Sequence, residues 1–282
     1  MPGVSTVIAV VLALMSAVLA AVGTVMRHQA TVRTGGIGRA WVLGAVVSVG
    51  AFALQAAALV MGEVLLVQPL IVLSVLFELF IQVWWTRRPA TAWQWTCGAA
   101  VAVGVGIFVV FARPQPAVHG RQAWILDTVV IGFLLIVLTL YLTARRTRGN
   151  TSGLLFGLVA GSLFGLVAVQ INSLSDPFRG LTQTLANPTL WICVLTGAAA
   201  IVAQQRAFGR GSLEVSYPAM VSAEPVVSMI LSLAVLGEKL SSHSVGTYVG
   251  ITGVAIMILG VVGLAQANAR EERRAAAPRR VH

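Results

Sequence analysis

Nine stretches of this 282-residue chain are apolar over nearly the length needed to cross a bilayer. They fall at roughly 4–26, 41–61, 64–85, 92–112, 123–143, 153–173, 189–205, 213–236 and 244–266. A helix needs about 20 predominantly apolar residues to cross a ~30 Å hydrocarbon core, and in lipid it satisfies its own backbone polar groups. Only 10% of the residues are charged, against about 25% in a soluble domain. The runs also lack the polar stripe of a soluble bundle helix. The expected fold class is an all-α polytopic membrane protein with about nine transmembrane helices. The first run follows MPGVST, which carries no basic residue, and it exceeds a signal-peptide core. It therefore reads as a retained first span.

An odd number of spans puts the two termini on opposite faces. Fifteen of the nineteen Lys and Arg residues then fall in the C-terminal tail and the loops on its side, while Arg113, Arg121, Arg179 and Lys239 hold the other side. The positive-inside rule makes the C-terminus cytoplasmic and the N-terminus external, as expected for a multi-pass protein of the inner (plasma) membrane. Trp41, Trp84, Trp85, Trp93 and Trp95 fall at inner span ends, and Trp124 and Trp191 at outer ends, where aromatic belts form. The net charge of +10 is spread over every inner loop. It signals topology and attraction to anionic headgroups, with no nucleic acid as partner. The expected partners are the lipid bilayer and a small-molecule solute or ion, and the oligomeric state is left open.

The chain also repeats itself. At an offset of 149 residues, Gln55 meets Gln204, Ala58 meets Ala207, Gly62 meets Gly211 and Pro69 meets Pro218. The second, third and fourth spans correspond to the seventh, eighth and ninth, and the first pairs more loosely with the sixth. The fifth has no counterpart. A displacement of five spans inverts one copy relative to the other, the plan of many secondary transporters. The expected organisation is a first inverted repeat over 1–122, an unpaired helix and basic loop over 123–150, a second repeat over 151–267, and a disordered cytoplasmic tail over 268–282.

Few ionisable groups lie within spans, and each costs a few kcal/mol unless it faces protein or water. Glu224 lies about 11 residues into the eighth span, or ~16 Å along it, near the midplane. Pro225 follows it and Pro218 precedes it by two turns, and with Pro69 these are the expected helix breaks, since proline removes a backbone donor. Glu224 reads either as a central transport group or as a buried, protonated carboxyl bonded to a neighbouring helix. Glu78, in the third span, lies three residues from the repeat mate of Glu224, and it reads as a second pathway carboxylate or as one snorkelling towards Arg87 and Arg88. Gln55 and Gln204 are the repeat-related amides, with pathway or interhelical roles. Tyr217, Gln68, Gln170 and Asn172 are weaker pathway candidates, and Arg206, Glu214 and Asp127 fall at span ends. Gly153, Gly157, Gly161 and Gly165 form a bare ladder along the sixth span, suited to close helix packing. Glycines in the fourth and ninth spans suggest similar packing there. The loop around Asp176-Pro177 reads as a connector.

Enzyme chemistry is not expected. Lys239, in a loop, is the one lysine, the histidines fall at span ends or in loops, and neither HExxH nor a phosphate-binding glycine loop occurs. Cys97 and Cys193 both fall within spans, so no disulfide framework or metal cluster is suggested, and no cofactor is expected.

With Glu224 and the repeat established, the segment 217–262 resembles the last half-repeat of EamA-type members of the drug/metabolite transporter superfamily. The resemblance rests on Glu224-Pro225, then Leu236-Gly237-Glu238-Lys239-Leu240, then the glycine-spaced final span. The first half, with MRHQATVR at 26–33 and LVQPLIVLSVLF at 66–77, is more similar to the NIPA-like branch, which is associated with magnesium transport. The resemblance spans most of residues 1–266 and implies a helical carrier with a central cavity between inverted halves. The expected function is alternating-access transport of a small metabolite or drug-like solute, with the proton as candidate coupling ion and Glu224 at its centre. Magnesium or divalent-cation transport is one alternative, and a non-transporting or lipid-handling subunit is another.

Overall fold

The computed structural model describes residues 4–34, 38–87, 89–114, 123–174, 181–211, 213–240 and 244–276. Within them lie eleven α-helices: α1 (Val4–Thr34), α2 (Arg39–Met61), α3 (Val64–Val72), α4 (Ser74–Thr86), α5 (Ala92–Ile107), α6 (Ala123–Arg146), α7 (Gly149–Ser173), α8 (Leu181–Ala186), α9 (Pro188–Arg210), α10 (Leu213–Leu231) and α11 (Ser244–Ala276). Among the described residues nine helical segments are long and apolar enough to cross a membrane, with α3 and α4 together forming one of them. The protein is an all-α, multi-pass membrane protein. The Asp176-Pro177 connector and the side chains of Asp127 and Glu214 lie outside the described residues.

The two copies of the sequence repeat fold alike locally. α2 and α9 are both 23 residues long, and each ends on an extended glycine, Gly62 and Gly211. Their N–H groups return to Ala58 O at 2.9 Å and Ala207 O at 3.1 Å. The next helix starts two residues later in each copy, at Val64 and Leu213. The glycines are needed for close approach. A Cβ on Gly62 would lie 2.5 Å from Ala9 Cβ on α1, and one on Gly211 would lie 2.6 Å from Gly153 Cα on α7. Ala9 is thus to the first corner what Gly153 is to the second, and Ala9, Ala13, Ala17 and Ala21 form a buried small-residue ladder on α1.

Backbone-to-backbone contact holds the rest of the bundle, as expected where lipid removes the hydrophobic advantage of helix association. The glycine ladder of α7 lies against α10: Gly157 faces Ser216 O, Gly161 faces Met220 O and Gly165 faces Glu224 O. α5 crosses α11 in the same way, with Gly104 against Gly253 and Met257, and Gly260 against Cys97 and Val101. Ser16 on α1 adds a polar tie, its Oγ donating to Ala51 O of α2 at 2.7 Å.

Three local features depart from expectation. Pro218 and Pro225 do not break α10, which runs unbroken from Leu213 to Leu231. Each proline withdraws one donor from the carbonyl four residues before it, a loss that neighbouring helices and hydroxyls compensate in membranes. The regular ladder yields later, as a π-turn over Ser232–Leu236. Pro69 lies inside α3, and the interruption comes one turn beyond it, at Leu73, whose N–H takes the shorter step to Leu70 O at 3.2 Å. The last helix does not stop before Asn268: α11 continues through Ala276. Alanine, glutamate and arginine are strong helix formers, and Asn268 Oδ1 accepts the Gln94 amide at 3.0 Å.

Candidate functional site

Glu224 sits on α10 against the upper rungs of the α7 glycine ladder. A Cβ on Gly161 would lie 3.1 Å from Glu224 N, and one on Gly165 would lie 2.7 Å from Glu224 O. The side chain is half-buried, and the Gln55 side chain of α2 lies beside it. An amide offers the carboxyl a partner in either protonation state, because it carries both donor and acceptor. Val221 and Val227, one turn to either side of Glu224, pack into the central core cluster.

The other sequence candidates are distributed around this pair. Glu78 is half-buried on α4, beside Val75 and Leu79, which cluster with Val221 of α10. Glu78 and Glu224 thus lie on different helices that share this cluster, and the side chain beside Glu224 is that of Gln55. Gln204 is half-buried on α9. Tyr217 packs in the α6–α7–α9–α10 cluster, with its ring 6.5 Å from that of Phe208. Gln68 is 1% exposed on α3. Its Nε2, with Gln170 Oε1 and Ser222 Oγ, is buried without a protein hydrogen-bond partner among the described residues. Buried polar atoms are nearly always satisfied, so each of these atoms, on α3, α7 and α10, is open to a hydrogen bond from water or a polar solute. A surface pocket lined by Val83, Trp84, Trp85 and Arg87 does not include Glu224. Cys97 and Cys193 are buried free thiols.

One polar constellation was not anticipated from sequence as a unit. The corner between α2 and α3 exposes carbonyls at the end of one helix and N–H groups at the start of the next, and both sets find partners far along the chain. Asn172 of α7 donates its amide to Leu59 O at 2.7 Å and Gly62 O at 3.0 Å. Glu238 accepts Val64 N–H at 2.7 Å and Leu65 N–H at 2.8 Å. Gly237, at φ 75°, makes the left-handed turn that delivers Glu238 from the end of α10, a conformation that favours glycine. Glu238 is 5% exposed, and burial pushes its carboxyl above the ordinary value while the Leu65 and Val64 N–H groups pull it back. Its signal in the sequence was an acid following a glycine at a span end, which reads equally well as a solvated loop.

The chain is 32% identical over 255 residues to an uncharacterized protein of Corynebacterium glutamicum, a match covering 83% of this chain and 86% of that one. The chain belongs to that protein's family. No family model matches it, and no solved structure does.

Proposed function

We propose that the protein is a secondary transporter that moves a small polar metabolite or drug-like solute by alternating access, with Glu224 as its central protonatable group. The observation that carries this reading is the Glu224–Gln55 pair: a half-buried mid-span carboxylate with an amide of another transmembrane helix beside it. A charged group in lipid is expensive unless it lines a pathway, and secondary carriers hold their sites near the midplane. In this reading residues 1–122 and 151–267 are inverted four-helix units around the unpaired α6. The matching α2 and α9 corners, with Ala9 and Gly153 in equivalent places, support that symmetry. The N-terminus is external and the C-terminus cytoplasmic in the plasma membrane, and the chain is a divergent relative of the drug/metabolite transporter superfamily. An organic solute is favoured over a divalent cation, because few carboxylates lie within the spans to supply the oxygen ligands that a dehydrated cation takes.

Proteoliposomes enclosing a pH-sensitive dye, exposed under a pH gradient to amino acids, amines, nucleosides and MgCl₂, test the proposal. At least one organic solute should drive proton movement in wild type, and Glu224→Gln should abolish it with the folded protein retained. An E224Q protein as active as wild type overturns the role of Glu224, and a response to MgCl₂ alone overturns the organic-solute reading.

A further inference from the structure

A second feature lies where α6 and α9 end, on either side of α7. Tyr141 of α6 meets Phe156 of α7 edge-on, with ring centroids 5.7 Å apart and planes at 84°. Arg206 of α9 donates to the Tyr141 hydroxyl and lies 5.6 Å from that ring's centroid, while Arg145 of α6 lies 6.0 Å from the same centroid. Arg210 lies 5.1 Å from the centroid of Phe156. All three arginines are exposed, and among the described residues none is paired with a carboxylate.

Helix C-termini favour basic residues, and that accounts for an arginine at the end of each helix. It does not account for guanidiniums from two helices converging on one ring, where like charges repel. Ring faces attract guanidinium groups, so Tyr141 and Phe156 can seat the three arginines side by side. The cluster lies at the ends of two transmembrane helices, the level at which lipid phosphates lie, and guanidinium forks match phosphate oxygens two at a time. We propose that Arg145, Arg206 and Arg210, seated on Tyr141 and Phe156, form a binding site for the phosphate headgroup of an anionic phospholipid.

Native mass spectrometry of the full chain, released from nanodiscs of mixed phosphatidylglycerol and phosphatidylcholine, reads this directly. Wild type should retain phosphatidylglycerol preferentially, and each arginine replaced among R145Q, R206Q and R210Q should lower that retention about fivefold. R146Q/R148Q, which removes two nearby charges outside the cluster, should lower it far less. Equal retention of the two lipids, an unaltered R145Q/R206Q/R210Q protein, or an equal loss in R146Q/R148Q overturns the site. Release of the lipid by millimolar inorganic phosphate overturns it as well, since it would mark a site for free anions.

Discussion

The Glu238 carboxylate accepts the backbone N–H of Val64 at 2.7 Å across 174 positions of the chain. Its other oxygen takes the N–H of Leu65, so a residue from the end of the α10 span caps the first turn of α3. Helix N-termini leave such donors unsatisfied, and here the cap joins residues of the two sequence copies. Glu238→Ala should cost about 1–2 kcal/mol and lower the melting temperature by a few degrees in a detergent-solubilised thermal shift. An unchanged melting temperature would remove the cap from the account.

The same carboxyl sets a pH dependence. Burial is the largest influence on it and raises its pKa from the ordinary 4.5, with neighbouring Glu63 adding to the rise. A carboxyl raised in the folded state binds its proton more tightly there, so its contribution to stability is fully present below 4.5 and is lost as pH rises through the raised value. Wild-type melting temperature should therefore fall, relative to Glu238→Gln, from pH 4.5 upward until the raised pKa is passed. Parallel profiles for the two proteins would contradict this.

Asn172 holds the other half of the same corner, donating to Leu59 O and Gly62 O. Asn172→Leu should destabilise the protein by about 1–3 kcal/mol by leaving two carbonyls without their donor. Because both residues fix one turn, N172L and E238A should couple by more than about 0.5 kcal/mol in a double-mutant cycle of melting data. Simple additivity would mean that the two bonds act on independent parts of the structure.

The ladder of α7 makes a contrasting prediction. Gly165→Ala would place a methyl group 2.7 Å from Glu224 O, forcing α10 to move, at a cost of about 1–3 kcal/mol. Gly106 has nothing within 4 Å of its Cβ position, so Gly106→Ala should be neutral or stabilise α5 by up to about 1 kcal/mol. Thermal shifts of the two variants in one detergent check the pair, and equal shifts would contradict close packing at Gly165.

The spans were readable because a bilayer demands some twenty apolar residues in a row, and little else in a sequence does. The repeat was readable for a related reason: Gly62 and Gly211 sit in close helix contacts, against Ala9 Cβ and Gly153 Cα, that admit no side chain. Glu224 stood out as a carboxylate inside an apolar run, and Gln55 as an amide marked by the repeat, yet their proximity depends on how the bundle places α2 and α10. The corner held by Asn172 and Glu238 was less legible, because its bonds go to main-chain atoms whose identity leaves no mark in sequence. Proline was over-read at Pro218 and Pro225: a packed membrane helix absorbs the lost donors, and the ladder yields instead at Ser232–Leu236. Beyond residue 267, solvated charge pointed to disorder, while the Ala-, Glu- and Arg-rich composition favoured continued helix.

The central claim is that the Glu224–Gln55 pair faces a pathway that opens to each side of the membrane in turn. Gln55→Cys in a Cys97→Ser/Cys193→Ser background, reconstituted in one orientation, can be probed with a membrane-impermeant maleimide added to either side. Labelling from both sides, in a protein whose melting temperature stays close to that of the background, is the predicted result. Labelling from one side only, or from neither, would contradict alternating access at this site.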